Sequence, residues 1–304
     1  MIRMRRVPAT AALAVLVATL ATACSGPGGQ PAPAPAPASA GSCHAGVSGA
    51  ENWIMGSGEL SAAQAAGASS VRYAVGSAHL FVLLLRGQTS RAGQEVADFR
   101  SYAELKKMIR QGTIAPGIRW VMYDNEQWSL TPADEQADPV HYEQLFARLA
   151  HRQGYKVILA PAQDLVPGFD KNSFRGGKAV WPSYLSMGLA AASARAADIY
   201  EIQAQPYEMS VYRSQHAYAD FVAAAAAQAR AANPGIVIYA GLSTQRVSSA
   251  AQLLQDYETT RNLVDGYWLN IPRHDQPGPP GLADQFLRTI PASASASAAT
   301  CAGA

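Results

Sequence analysis

Residues 139–161 read PVHYEQLFARLAHRQGYKVILAP, and this stretch contains one complete helix-to-strand unit of the chain. Pro139–Gln153 has apolar residues at helical spacing and is followed by Gly154, a residue type that commonly ends helices. Val157–Pro161 is a short aliphatic run, as expected for a strand that is buried on both faces. A helix followed directly by such a strand predicts a parallel sheet with crossover helices.

The same alternation continues on both sides of this unit. Strands are predicted at Trp120–Tyr123, Val157–Pro161, Ile199–Gln205, Ile236–Leu242 and Val264–Ile271, and helices at Tyr102–Arg110, Pro139–Gln153, Pro182–Ala197, His216–Asn233 and Ala250–Asn262. Further strands are predicted at Leu80–Arg86 and Val71–Val75, so the first strand or two should be irregular. The chain has no glycine-rich phosphate loop of the form GxGxxG or GxxxxGK[ST]. The pattern therefore favours a single α/β domain, a (β/α)8 or TIM-like barrel, over an open nucleotide-binding sheet.

The N-terminus has the layout of a signal peptide, residues 1–23. Arg3, Arg5 and Arg6 precede an uncharged apolar run at residues 11–21. This run is too short to span a bilayer, because a membrane-spanning helix needs about 20 apolar residues. The run ends at Ala21-Thr22-Ala23-Cys24, which resembles the lipobox of bacterial lipoproteins. That resemblance implies acylation of Cys24, so the chain is expected to be exported and anchored by lipid on the outer face of the cytoplasmic membrane.

Residues 24–42 form a Pro/Ala-rich linker without charged residues, which predicts an extended spacer between the lipid and the domain. The full chain carries 24 Lys and Arg against 22 Asp and Glu, and removal of the three N-terminal arginines leaves a net charge of −1. This balance argues against nucleic acid as a partner. The lipid is the only expected contact with a membrane.

The domain is predicted to span residues 43–301, with a flexible Ala/Ser tail from about residue 292. Cys43 and Cys301 lie at its two ends, and export permits a disulfide between them. Two free thiols are the alternative. A monomer is expected.

Polar side chains alternate at the predicted strand ends. Asp124 and Glu126 share a face of one strand, and Glu201, Gln203 and Gln205 share a face of another. Unpaired polar groups are costly to bury, so these faces should point into the barrel, where they pair with each other or with a ligand. The same alternation brings further residues inward: Ser243, Trp268 and Asn270. Carboxylates and amides can bond to the hydroxyl groups of a carbohydrate, and aromatic rings can stack on its apolar faces. A self-satisfied polar network inside the barrel is the alternative.

Four blocks carry a resemblance: Trp120–Glu126 (WVMYDNE), Ile202–Gln205 (IQAQ), Ala240–Thr244 (AGLST) and Tyr267–Pro272 (YWLNIP). They resemble the strand-end blocks of glycoside-hydrolase-like (β/α)8 barrels and are similar to those of secreted actinobacterial lipoproteins. The resemblance covers roughly residues 70–290. It implies that the acid of the Asp124-Asn125-Glu126 block is catalytic, although the Gly-rich Asp-x-x-Asp-x-Asp-x-Glu run of chitinases is missing.

The resulting hypothesis is a cell-surface glycoside hydrolase in which Glu126 is the general acid and Asp124 assists. Hydrolysis normally needs two carboxyl groups, and Asp164, Glu201 and Glu208 remain alternatives for the second. One carboxylate suffices when an N-acetyl group of the substrate is the nucleophile. The predicted substrate-binding residues are Gln203, Gln205, Trp268, Asn270, Ser243, Trp128 and Asp164. A barrel that binds glycans without cleaving them, or serves as an envelope scaffold, is the alternative function.

Neither a metal site nor a cofactor is predicted. The six histidines show no HxH, HxxxH or HExxH spacing. Gly241-Leu-Ser-Thr-Gln245 departs from the GxSxG nucleophile elbow because Gln245 replaces the second glycine. Ser243 is therefore interpreted as a hydroxyl that contacts ligand.

Overall fold

A computed structural model describes residues 52–65, 80–84, 90, 92–213, 216–271 and 278–290. Within these residues eight parallel strands close into a barrel, in the order of the chain, and the last strand pairs with the first. The strands are β1 (Asn52–Gly56), β2 (Leu80–Leu84), β3 (Gln94–Phe99), β4 (Trp120–Tyr123), β5 (Lys156–Leu159), β6 (Ile199–Ile202), β7 (Val237–Ser243) and β8 (Gly266–Asn270). The predicted (β/α)8 barrel is confirmed.

Helices connect the strands. They span Ser57–Ala65, Tyr102–Gln111, Ala133–Ala137, Pro139–Arg152, Lys171–Arg175, Trp181–Ser186, Leu189–Ala196, Ser210–Arg213, Ala217–Ala232, Ala250–Thr260 and Gly278–Thr289, with short 3-10 turns at Gln163–Leu165 and Gln205–Glu208. The predicted helix over residues 182–197 is two helices, because Gly188 takes a left-handed φ of 72° between them. None of the helices in the described part of the chain is both long and apolar enough to cross a bilayer.

Local sequence explains where the better-defined helices begin and end. The Ser101 hydroxyl accepts a hydrogen bond from the backbone N–H of Glu104, and Gly112 ends that helix in a left-handed conformation. The helix over residues 139–152 begins with Pro139 in its first turn, where a missing N–H costs nothing, and Asp138 accepts from the His141 N–H.

The barrel interior contains an apolar cluster. Inward side chains of the strands form one buried cluster: Ile54, Phe81, Leu83, Val96, Trp120, Met122, Ile158, Ala160, Ile199, Tyr239 and Trp268. Phe81 contacts Trp120 edge-on with ring centroids 4.9 Å apart, and Gln94 accepts a hydrogen bond from the Trp120 indole. The outward side chains pack between the barrel and the helices. In barrels of this type the polar chemistry lies at the carboxyl ends of the strands.

Two strands differ from expectation. β1 and β3 were not predicted from the sequence, and Trp53, the second residue of β1, is buried against Tyr267 and Phe286. The strand predicted at Leu80–Arg86 is present as Leu80–Leu84. Several predictions lie outside the described residues: the strand at Val71–Val75, the lipidated Cys24, the linker, the pair Cys43 and Cys301, and the tail.

Candidate active site

Carboxyl groups gather where strands β3 to β6 end. Each of these four strands, or the segment that follows it, contributes at least one carboxyl group to this end of the barrel: Asp98, Asp124, Glu126, Asp164 and Glu201. Burial raises the pKa values of Asp124 and Glu126, and neighbouring charges add to the rise. Glu126 and Asp98 act on Asp124, while Asp164 and Asp98 act on Glu126. The barrel therefore brings together acids that are up to about a hundred residues apart in sequence, as the topology of parallel strands requires.

Arg100 is the cation at the centre of this group. Its guanidinium contacts the Asp98 carboxylate, and its Nε lies 3.5 Å from Oδ2 of Asp124. The same guanidinium lies over the Trp128 ring, 5.4 Å from the centroid. Burial raises the pKa values of Asp98 and Asp124, and Arg100 opposes this rise. The rise remains because one guanidinium balances the charge of one carboxylate only.

Asp124 is held from the other side by β6. Its Oδ1 accepts a hydrogen bond of 2.8 Å from Nε2 of Gln203, which also donates to the carbonyl of Ala160 at 2.7 Å. The backbone carbonyl of Gln203 accepts in turn from Nε2 of Gln163. Asp124 is 3% exposed. Side chains that follow β3 and β6 thus fix its orientation from two sides, which makes it a rigid part of the site.

Glu126 has a different environment although it lies only two residues further along. Its backbone N–H faces the Thr131 hydroxyl at 3.4 Å, but no group among the described residues donates a hydrogen bond to its carboxyl. Burial raises the pKa of Glu126 to about 7, with Asp164 and Asp98 adding to the rise and Arg100 and Lys171 opposing it. A carboxyl group that is protonated near neutral pH and not bonded to protein can donate its proton to a ligand.

Asp164 follows β5 and flanks Glu126. Its Oδ1 accepts from the backbone N–H of Gln127 at 2.8 Å, which ties the segment after β5 to the segment after β4. Burial raises its pKa, while the Gln127 N–H and Lys171 oppose the rise. Asp164 is half-buried, so a ligand in the barrel mouth can reach it.

Glu201 lies deeper, on the inward face of β6. It is fully buried, and neither carboxyl oxygen has a hydrogen-bond partner among the described residues. Burial raises its pKa well above the ordinary value, and Asp124 and Glu126 add to the effect. The strand register, continued past the ends of β4 and β5, places Asp124, Ala160 and Glu201 in one row.

The other predicted ligand residues line the opposite side of the same mouth. Trp268 is 8% exposed and its indole N–H is buried without a partner in the described structure. The Gln205 amide lies against Gly241, where a Cβ would come within 2.2 Å of it. Ser243 is paired in register with Asn270, and its hydroxyl accepts from the Gln245 N–H.

Trp128 is engaged with protein rather than open. Its indole N–H donates to the Thr131 hydroxyl at 2.7 Å, and Arg100 covers its ring. Trp128 therefore supports the loop after β4 and holds Arg100 in place.

Sequence reasoning missed two central residues, Asp98 and Arg100. Asp98 lies near the end of β3 and Arg100 directly after it, and no strand was predicted over these residues, of which Gln94, Glu95 and Asp98 are polar. The alternation of Gln94, Val96 and Asp98 on one face is the signal that could have identified this strand. Glu208, named as an alternative acid, is fully buried after β6, and its carboxylate accepts from the Ser243 N–H.

No group of His, Cys, Asp and Glu side chains within the described ranges could hold a metal ion. A cavity of about 310 Å³ lies at the other end of the barrel, lined by Ser90, Gly93, Gln94, Glu95, Gly117, Arg119 and Trp120. These residues surround the beginnings of β3 and β4. The coupled carboxyls at the strand ends, and not this cavity, therefore form the candidate active site.

Comparisons with known proteins add little. No protein-family model matches the chain, and no curated protein matches it. Among solved structures, it is similar to a truncated 3-deoxy-D-arabino-heptulosonate 7-phosphate synthase from Thermotoga maritima, with 8% sequence identity and a TM-score of 0.22. The match covers 79% of this chain and 85% of the synthase chain. Similarity at that level carries no argument about function, and the barrel fold is established by its own closed strand order.

Proposed function

We propose that this chain is a glycoside hydrolase in which Glu126 is the general acid. The observation that carries the proposal is the contrast between two neighbouring carboxyl groups. Asp124 is held by Gln203 and Arg100, whereas Glu126 has no donor among the described residues and a pKa raised to about 7. Acid and base roles are commonly divided between two titratable groups in such different environments.

The surroundings of Glu126 support a sugar as the substrate. The mouth offers an indole face at Trp268 and the amides of Gln203, Gln205 and Asn270, which can bond hydroxyl groups. Asp124 is our choice for the assisting carboxyl group, since it shares the Glu126 strand end. Asp164, Glu201 or an N-acetyl group of the substrate are the alternatives.

A second function is favoured by the hydrogen bond between Gln203 and Asp124. The Gln203 amide, directly after β6, occupies a place where a second acid could act, and it holds Asp124 in a buried position. A barrel with that arrangement could bind a glycan without cleaving it. In either case we propose that the protein is exported, lipidated on Cys24, closed by a Cys43–Cys301 disulfide and monomeric.

The decisive experiment compares wild type with Glu126→Gln on a panel of cell-wall and plant polysaccharides. Loss of a general acid typically lowers turnover by 10²–10⁴-fold, so the variant should lose activity on that scale and keep its melting temperature. Glu258→Gln is the matched control, because Glu258 is exposed on the helix Ala250–Thr260 and the chemical change, from carboxyl to amide, is the same.

Binding by both proteins without turnover on every substrate would support the glycan-binding function. Absence of binding and turnover, with a large fall in the melting temperature of Glu126→Gln, would mean that Glu126 belongs to an internal structural network.

A further inference from the structure

The candidate active site has more acids than cations. Two cations face its five carboxyl groups within the described structure: Arg100 and Lys171. Arg100 is already shared between Asp98 and Asp124. Lys171 is exposed on a short helix and acts on Glu126 and Asp164 through space. The other carboxyl groups have no further cation beside them in this part of the chain.

Several buried acceptor atoms also lack a hydrogen-bond donor. Both oxygens of Glu201 are buried and unpartnered within the described residues, and so is Oδ1 of Asp98. Glu201 points into the barrel in the same row as Asp124. Buried acceptors without donors are costly, so the site fits a ligand that supplies hydrogen atoms. An ammonium group has three donors and no acceptor, which suits this set better than a hydroxyl group does.

Aromatic rings in the mouth can also hold a cation. Arg100 over the Trp128 ring shows that the site stabilises positive charge against an indole face. Trp268 is a second indole, directed inward from β8. A cationic sugar could stack its apolar face on this ring while its charged group meets the carboxylates.

On the basis of the proposed function, we propose that the glycan carries free amino groups, as in a polymer of 2-amino-2-deoxyhexose. Each protonated amino group meets the carboxyl groups at the ends of β3 to β6, and the hydroxyl groups meet the amides of β6 and β8. A glycan with carboxylate or phosphate groups would be repelled by the same acids. A neutral or N-acetylated glycan would leave the buried acceptors without a charged partner.

Such binding has a proton signature. A bound ammonium lowers the pKa of the nearby carboxyl groups, so those that hold a proton in the free protein release it. Glu126, with a pKa of about 7, contributes most near neutral pH. The groups that face it are Asp98, Asp124, Asp164, Glu201, Arg100 and Lys171. A neutral glycan would release few or no protons from this set.

The test is calorimetry with a short glucosamine oligomer, its fully N-acetylated counterpart, a cello-oligosaccharide of the same length, and spermine. Titrations at about pH 6 use two buffers of different ionisation enthalpy. This pH lies below the pKa of about 8 of an α-amino group, which also has electron-withdrawing neighbours. The glucosamine oligomer should bind at least tenfold tighter than the two uncharged oligomers and release protons. Its affinity should fall with added salt. Asp164→Asn should weaken it on the order of fivefold, and Glu258→Gln should not.

Tighter binding of either uncharged oligomer would overturn the inference, and so would equal binding of spermine, because the site would then recognise charge and not a sugar. Hydrolysis of a neutral glycan without glucosamine binding would overturn this inference and leave the proposed function intact. Glucosamine binding without hydrolysis of any substrate would support the inference and contradict the hydrolase function.

Discussion

Nε2 of Gln203 lies 2.8 Å from Oδ1 of Asp124, and this hydrogen bond joins the ends of β6 and β4 across 79 residues of sequence. The same amide nitrogen donates to the Ala160 carbonyl at the end of β5. Three consecutive strands are thus connected at the mouth of the barrel by one side chain. Gln203 fixes the aspartate and leaves Glu126, two residues beyond it, free to meet a ligand.

Gln203→Met should therefore destabilise the protein with little change in buried volume. The variant leaves Asp124 and the Ala160 carbonyl without their donor, and each unsatisfied buried group costs about 1–3 kcal/mol. Urea unfolding measures the loss, and Gln245→Met is the control because Gln245 is exposed. A loss below about 0.5 kcal/mol, the range of ordinary surface changes, would show that water replaces the amide.

The pH dependence of activity should follow the pKa of Glu126. A general acid must be protonated, so kcat/KM should fall above about pH 7, where Glu126 loses its proton. Asp164 raises this pKa and Lys171 lowers it. Asp164→Asn should therefore move the fall to lower pH, and Lys171→Met should move it to higher pH. Shifts in the same direction, or none, in profiles measured with one substrate would contradict the assignment.

Much of the fold could be predicted because long helices and aliphatic strands leave clear periodic patterns. The alternation of residue types alone predicted β4, and it predicted that the side chains of Glu201 and Gln203 point into the barrel. β1 and β3 were missed for different reasons: β1 has three apolar residues set between Asn52 and Gly56, and β3 carries three polar residues. Gln94 is accepted inside the barrel because it bonds the Trp120 indole, a contact that only the closed barrel creates.

The composition of the site could be predicted better than its contacts. Alternation identified which residues of β6 point inward, but it could not show that Gln203 bonds Asp124. It also could not show that Arg100 lies between two aspartates. Both contacts depend on the distance between strands that are remote in sequence and on the direction of each side chain. Asp98 and Arg100 were therefore absent from the predicted site.

Ionisation of Glu143 should lower the free energy of unfolding as the pH rises. This carboxyl is buried behind the site, accepts a hydrogen bond from the Ser193 hydroxyl, and has a pKa raised by burial to about 8. A carboxyl whose pKa is raised by folding favours the folded state at low pH. That advantage declines between the ordinary pKa of 4.5 and about 8.

The measurement is the free energy of unfolding of wild type and Glu143→Gln from about pH 5 to pH 8. The variant cannot ionise at this position, so wild type should lose stability relative to it as pH rises. The relative loss cannot exceed about 1.4 kcal/mol per pH unit for one proton. Other buried acids titrate in both proteins and largely cancel in the difference. A difference that is constant with pH would show that Glu143 does not titrate in this range.

Cys24→Ala should prevent lipid attachment. The order of basic residues, apolar run, small residues and cysteine at the N-terminus motivates this prediction. The variant should be released into the medium or remain unprocessed. Fractionation of cells that express either form, with intact-mass analysis, measures the result, and Cys43→Ala is the control for loss of a cysteine. A Cys24→Ala variant that stays membrane-bound at its mature size would contradict the lipid anchor.

Substitutions of Gly241 and Gly266 should distinguish a residue position that affects the candidate active site from one that affects the closure of the barrel. Both are buried glycines on neighbouring strands β7 and β8, and each becomes too close to its neighbours when a Cβ is added. At Gly241 the contact is the far end of the Gln205 side chain, at 2.2 Å. At Gly266 it is the backbone carbonyl oxygen of Asn52 on β1, at 2.6 Å. A side-chain amide can rotate away, but a backbone carbonyl in a closed barrel cannot.

Gly241→Ala should therefore change the unfolding free energy by less than about 1.5 kcal/mol and reduce ligand affinity or turnover, because Gln205 is displaced within the mouth. Gly266→Ala should cost about 1–3 kcal/mol or more, because β1 and β8 must separate where the barrel closes. Thermal and urea unfolding with binding assays on both variants make the comparison. Equal destabilisation would show that Gln205 is a structural residue and would remove it from the ligand site.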